Sequence, residues 1–175
     1  IRKVALVGYT NVGKSTLFNT LCKLPLGKQS LVEDQLFATL DPTPRRLPIP
    51  FIGESSKDLL LTDTVGFIRE LPQPLVETFK STLEETLYAD LLLLVVDLSS
   101  KDWRDQLQAV NSLLDSLGAK GYRQIVANQI DRCDNSEIKS IAQTYTNVLY
   151  VSAISGAGLK GLKTWLKNYF WPNKS

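Results

Sequence analysis

Short apolar runs of strand length recur along the chain, at Lys3 to Val7, Leu59 to Leu61, Leu91 to Val96, Ile125 to Ala127 and Val148 to Val151. Between them the apolar positions change to helical spacing, so the pattern predicts alternating strands and helices, an α/β arrangement. After Gln106, Leu107, Val110, Leu113, Leu114 and Leu117 share one helical face, and Gly118 stands where a left-handed cap ends a helix. Leu75, Phe79, Leu83 and Leu87 form a second stripe, and Leu159, Leu162, Trp165, Leu166 and Tyr169 a third; the aromatic members are expected in the core. Strands apolar at nearly every position belong to a mostly parallel sheet covered on both faces, with ligands at the carboxyl ends of its strands. Two stretches break the pattern, Pro25 to Arg46 and Thr64 to Pro74, and loops of that length usually carry function.

Composition narrows the picture. A chain of 175 residues that is 43% hydrophobic can build one domain with a full core. Its start, without Met and just ahead of an apolar run, is that of a domain cut from a larger protein. The longest apolar run is far short of a membrane span and no leader precedes Ile1, so the expectation is a monomeric piece without a membrane segment. Twenty basic against eighteen acidic residues give no electrostatic footprint of a dedicated nucleic-acid binder. With no His there is no imidazole for a nucleophilic centre or a metal. Cys22 and Cys133 lack the spacing of a zinc site or a disulfide framework, and are read as small buried residues in a reducing compartment.

The chemistry is concentrated at the ends of predicted strands. Gly8-Tyr9-Thr10-Asn11-Val12-Gly13-Lys14-Ser15 fits GxxxxGK[ST], follows a strand and opens a helix containing Leu17, Phe18 and Leu21. Glycines let the backbone wrap phosphate oxygens, the helix start supplies positive potential, Lys14 bridges the β- and γ-phosphates and Ser15 ligates Mg2+. Asn11, Val12, Gly13, Lys14, Ser15 and Thr16 are therefore candidate nucleotide contacts. Asp63-Thr64-Val65-Gly66 places a carboxylate near the metal and the Gly66 amide near the γ-phosphate. In Asn128-Gln129-Ile130-Asp131, Asp131 is a buried carboxylate accepting the guanine N1 and N2 protons, and Asn128 faces the other edge of the base. Ser152-Ala153, with Ile154 behind it, places a backbone amide on guanine O6. Any one of these is a common turn; in this order, at successive strand ends, they point to GTP and GDP.

In these motifs the chain resembles the HflX family of ribosome-associated GTPases. The resemblance is carried by Asp34-Gln35-Leu36-Phe37-Ala38-Thr39-Leu40-Asp41-Pro42-Thr43, by Leu61 to Ile68, by Leu71-Pro72, by Phe79 to Glu85 and by Gly8-Tyr9-Thr10-Asn11. It implies a three-layer, Ras-like domain with a six-stranded sheet and Leu47 to Ile52 antiparallel at one edge. It implies GTP hydrolysis coupled to the large ribosomal subunit, with ribosome splitting or recycling as output, in a bacterial cytoplasm or an organelle. Thr39 becomes the switch threonine that closes on Mg2+ and the γ-phosphate, with Thr43 as competitor, so the implied metal set is Ser15, Thr39 and Asp63 and the catalytic set Lys14, Thr39 and Gly66.

Three positions shade this reading. Phe67 stands where many GTPases carry a water-orienting glutamine, so intrinsic turnover is expected to be slow and raised by a partner. Related GTPases with asparagine at the Asn11 position can bind K+ near the phosphates. Gln129 replaces the usual lysine of the guanine motif, so selectivity is expected to survive with weaker affinity. Arg45, Arg46 and Lys57, the last placed in a hairpin turn, are read as a solvated rim. The alternatives are a P-loop kinase, a GTP-gated binding module with little hydrolysis, and a GTPase of ribosome assembly or RNA maturation.

Overall fold

The apolar runs become the centre of one sheet. The computed structural model describes residues 1–9, 12–22, 44–64, 83–84 and 86–173. Among them the order is β1 (Arg2–Gly8), α1 (Lys14–Cys22), β2 (Arg45–Phe51), β3 (Glu54–Asp63), β4 (Leu91–Asp97), α2 (Trp103–Leu117), β5 (Tyr122–Asn128), α3 (Asn135–Thr144), β6 (Val148–Tyr150) and α4 (Leu159–Phe170). The sheet order is β2-β3-β1-β4-β5-β6, all parallel except β2, which runs antiparallel to β3 at the edge. This is the mostly parallel, six-stranded sheet that the sequence predicts.

Two elements differ from expectation for physical reasons. β3 is much longer than its apolar run, because its first half pairs only with β2, where one flank is open; the apolar pattern begins at Leu59, the residue at which β1 joins. Lys57 therefore lies inside β3 opposite Ile49, not in a turn, and its ammonium sits over Phe51 at 5.0 Å. α3 escapes the sequence because it buries only Ile141, too few apolar positions to make a stripe.

Alternation in the central strands feeds two cores. Val4 and Leu6 of β1 and Leu91, Leu93 and Val95 of β4 face α1 and α4, where Leu17, Phe18, Leu162 and Leu166 cover them. Ala5 and Val7, with Leu92, Leu94 and Val96, face α2 and α3, covered by Trp103, Leu107, Val110, Leu114 and Ile141. Each such aliphatic side chain contributes about 1.5–3 kcal/mol by leaving water. α2 ends as its sequence predicts, with Gly118 at φ 76° and the Ala119 amide donating to the Leu114 carbonyl.

Leu83 is buried and Leu87 half-buried, while Leu75 and Phe79 lie outside the described residues. Tyr169 is a correction: it is 39% exposed, and stacks on Trp165 at 5.1 Å and Tyr122 at 5.7 Å at the margin of the core. Cys22 and Cys133 are likewise half-buried, being at the ends of short elements, and both are free thiols. Among the described residues no helix is long and apolar enough to cross a membrane.

Candidate functional site

Parallel register decides which residues meet. Leu6 pairs with Asp63, Gly8 with Val95 and Asp97 with Asn128, so β1, β3, β4 and β5 bring their carboxyl ends to one rim. Gly8 ends β1 where a Cβ would strike the Val12 side chain at 2.7 Å and the Val95 carbonyl at 3.0 Å. Gly13 has φ 83°, and a Cβ there would run into the Asn128 amide. Both glycines are thus required by close approach, and Gly13 by its left-handed backbone as well. α1 then starts at Lys14, with the Leu17 amide donating to the Gly13 carbonyl at 2.9 Å.

Lys14 and Asp63, each 1% exposed, form an ion pair with Nζ 2.6 Å from Oδ1. Lys14 Nζ also donates to the Thr64 carbonyl. Ser15 Oγ donates to Asp63 Oδ2 at 2.9 Å. Lys14 and Ser15 of one motif therefore share the Asp63 carboxylate of another, and all three residues are buried. A buried lysine is tolerated only with such a counter-charge, since an unpaired ion there carries a desolvation cost of several kcal/mol. Thr64, which sequence reasoning passed over, fixes β3 to β1 by donating from Oγ1 to the Leu6 carbonyl at 2.6 Å. Its signal was the hydroxyl directly after the strand-end carboxylate.

Ser15 and Asp63 are an all-oxygen pair, the donor set suited to a hard divalent cation such as Mg2+. Among the described residues there is no cluster of three His, Cys, Asp or Glu.

The guanine motif is organised around Asn128. Its side chain is buried, with Nδ2 donating to the Val12 carbonyl at 3.0 Å and Oδ1 accepting from the Ala153 amide at 3.0 Å. Asn128 thereby ties the phosphate loop to the Ser152-Ala153 loop, a bracing role beside the expected one at the base edge. The Ser152-Ala153 pair is expected to place a backbone amide on guanine O6, and here both of its amides are engaged within the protein, Ala153 with Asn128 and Ser152 with the Ala157 carbonyl at 2.8 Å. Asp131 corrects the buried-carboxylate reading: it lies exposed in the 3-10 turn Ile130–Arg132. Ile154, after the Ser152-Ala153 pair, is 71% exposed. Gln129 has φ 62°, and its Oε1 accepts from Arg132 Nη1 at 3.1 Å. The Thr16 carbonyl takes a hydrogen bond from Thr20 Oγ1 within α1, and the same hydroxyl reaches the Ala153 carbonyl at 3.4 Å. Asn11, Thr39, Thr43, Gly66 and Phe67 lie outside the described residues.

Comparison with known proteins gives the family and the fold. The family model of the 50S ribosome-binding GTPases matches residues 3–129. GTPase HflX of Caldanaerobacter subterraneus subsp. tengcongensis is 48% identical over 160 residues, 91% of this chain and 34% of that protein. GTPase HflX of Escherichia coli is 43% identical over 162 residues, 91% of this chain and 36% of that protein. The chain thus spans about a third of the length of these relatives. Among solved structures, a GTP-binding protein from the hyperthermophilic archaeon Sulfolobus solfataricus in complex with GDP shares 29% identity and a TM-score of 0.68, covering 95% of this chain and 51% of that one. A variant of Aquifex aeolicus Era bound to GDP and AlF4- shares 26% identity and a TM-score of 0.67, covering 95% and 56%. With the family model matched over most of its length, and HflX proteins at these identities, the chain belongs to the 50S ribosome-binding GTPases as a GTPase domain of the HflX type.

Proposed function

We propose that this domain binds GTP at the rim of β1, β3 and β5, hydrolyses it to GDP and phosphate, and couples that cycle to the large ribosomal subunit. The observation that carries the nucleotide reading is the convergence of Lys14, Ser15 and Asp63 on one buried point next to the turn at Gly13.

In this reading the amides around Gly13 and the start of α1 cradle the phosphates, with Val12 and Thr16 on either side, and Lys14 leaves Asp63 to meet the β- and γ-phosphate oxygens. Ser15 and Asp63 would hold Mg2+, with Thr39 joining from the switch segment. Held there, the ion would supply neutralisation of the charge on the phosphate oxygens. The Gly66 amide contacts the γ-phosphate. Asp131 accepts the two guanine protons that adenine cannot offer, and Asn128, Ser152, Ala153 and Ile154 form the remaining wall of the base site. Phe67 can neither donate nor accept a hydrogen bond, so the attacking water is oriented by something else. Slow intrinsic turnover follows, with acceleration by a ribosomal element or by K+ held at Asn11.

The test is GTP turnover by the chain with and without purified large subunits, in potassium and in sodium buffer. The expected result is at least a roughly tenfold rise with subunits, by analogy with partner-stimulated GTPases. GTP binding without any rise would sink the coupled-hydrolysis reading and favour a GTP-gated binding module. Equal rates in the two buffers would remove K+.

A further inference from the structure

The charge of this chain is not spread evenly. From Ile138 to Ser175 there is no Asp or Glu, while Lys139, Lys160, Lys163, Lys167 and Lys174 fall in that stretch. β2, β3 and α4 together carry six basic and three acidic residues, more net positive charge than the whole chain. Of the acids, Asp63 is engaged by Lys14 and Ser15, Asp58 pairs with Arg46 at 3.5 Å, and Glu54 sits opposite Phe51 at the hairpin turn.

The fold gathers these cations into a strip. At one end Arg45 of β2 and Lys163 of α4 both stand near Cys22, close enough to favour its thiolate. At the other end Lys57 of β3 and Lys167 of α4 both lie on the Phe51 ring, at 5.0 and 4.9 Å from its centroid. Lys57 also stands 5.8 Å from the centroid of Trp171, a half-buried ring. Lys163 and Lys167 are one turn apart, about 6 Å along the helix. Cations of α4 and of the β2–β3 hairpin thus meet at the Phe51 ring, where one polyanion can touch both elements. An aromatic ring beside the cations adds a stacking surface of the kind unpaired bases use.

We propose that the face shared by α4 and the β2–β3 hairpin binds the phosphate backbone of RNA through Arg45, Lys57, Lys163 and Lys167. It extends the reading of this domain as one that acts at the large ribosomal subunit, and rests on that reading only for the choice of RNA as the polyanion. The nucleotide site is not part of it.

The experiment is fluorescence anisotropy of a labelled single-stranded RNA oligonucleotide with the 175-residue chain, across a salt series. The comparison variants are Lys163→Glu on α4 and Arg45→Ala on β2, two elements so that a folding defect in one does not decide the matter. GDP binding is the control. The expected result is saturable binding whose logarithm falls with that of salt at a slope of about −2 to −3, for four contacts on a single strand. Each variant should weaken RNA tenfold or so with GDP binding unchanged. No binding, or equal binding by wild type and both variants, overturns the proposal. Displacement of RNA by polyglutamate of equal charge overturns it in favour of an acidic protein partner. Cosedimentation with large subunits keeps the two readings apart: subunit binding without RNA binding overturns the strip and leaves the ribosomal reading standing. RNA binding lost in the variants supports the strip whatever the subunits do.

Discussion

Asn128 joins loops that are more than a hundred residues apart in sequence, through one amide group with a donor on Val12 and an acceptor for Ala153. Asn128→Ala leaves a buried carbonyl and a buried amide without partners, at about 1–3 kcal/mol each. Its thermal midpoint should fall by several degrees even in buffer without nucleotide. Asp131→Asn should leave that midpoint unchanged, since Asp131 is exposed, and weaken GDP by roughly a hundredfold. Calorimetry on both variants checks the contrast, and equal melting of the two would show the tie to be dispensable. Motif spacing revealed which residue types stand at the strand ends, because hydrogen-bond donors and carboxylates are legible as letters. It could not reveal that Asn128 spends both ends of its amide inside the protein, because those partners are fixed by the packing of three loops. Cys22 offers a pH test at the same scale. Burial pushes its thiol up to about 11, against the opposing pull of Arg45 and Lys163. The unfolded thiol titrates near 8.5, so between about 8.5 and 11 the unfolded chain loses its proton first and stability falls as pH rises. Urea midpoints at pH 8 and pH 10 should separate for the native chain and draw together for Cys22→Ser.

Among elements, the two sheet edges are managed differently. β6 is three residues long, a short template for pairing. β2 is seven residues long and keeps a ladder with β3, so Pro48 and Pro50, which have no N–H, occupy positions whose nitrogens face away from that ladder. The outer row of β2 thus lacks two donors at alternate positions. Replacing both prolines with valine restores them and raises β propensity; the double variant should self-associate severalfold more at high concentration, read by sedimentation velocity. An unchanged sedimentation profile would show that the prolines do not guard this edge. Element existence was easy to read where one face is wholly apolar, as in β4 and α2, and Gly118 even fixed where α2 stops. It was hard where burial is thin. α3 buries a single side chain and the first half of β3 almost none, so neither leaves a period in the sequence.

At the scale of the molecule, ligand and fold are linked because the phosphate loop grows out of β1 and the base loop out of β5. GDP at a hundred times its dissociation constant should stabilise the domain by about 2.7 kcal/mol. For a chain of this size that is about 5–10 °C in thermal midpoint. ATP at the same concentration should give no shift; a comparable one would contradict guanine selection by Asp131. β1 and β4 send alternate side chains into both cores, so neither strand can separate from its neighbours while either half of the hydrophobic interior stays closed. Their amides should then be the slowest in the chain to exchange with deuterium, opening only when the whole sheet does. An occupied site should lengthen those exchange half-lives more than those of the exposed turn that carries Asp131, so that the most distant report of nucleotide comes from the centre of the sheet.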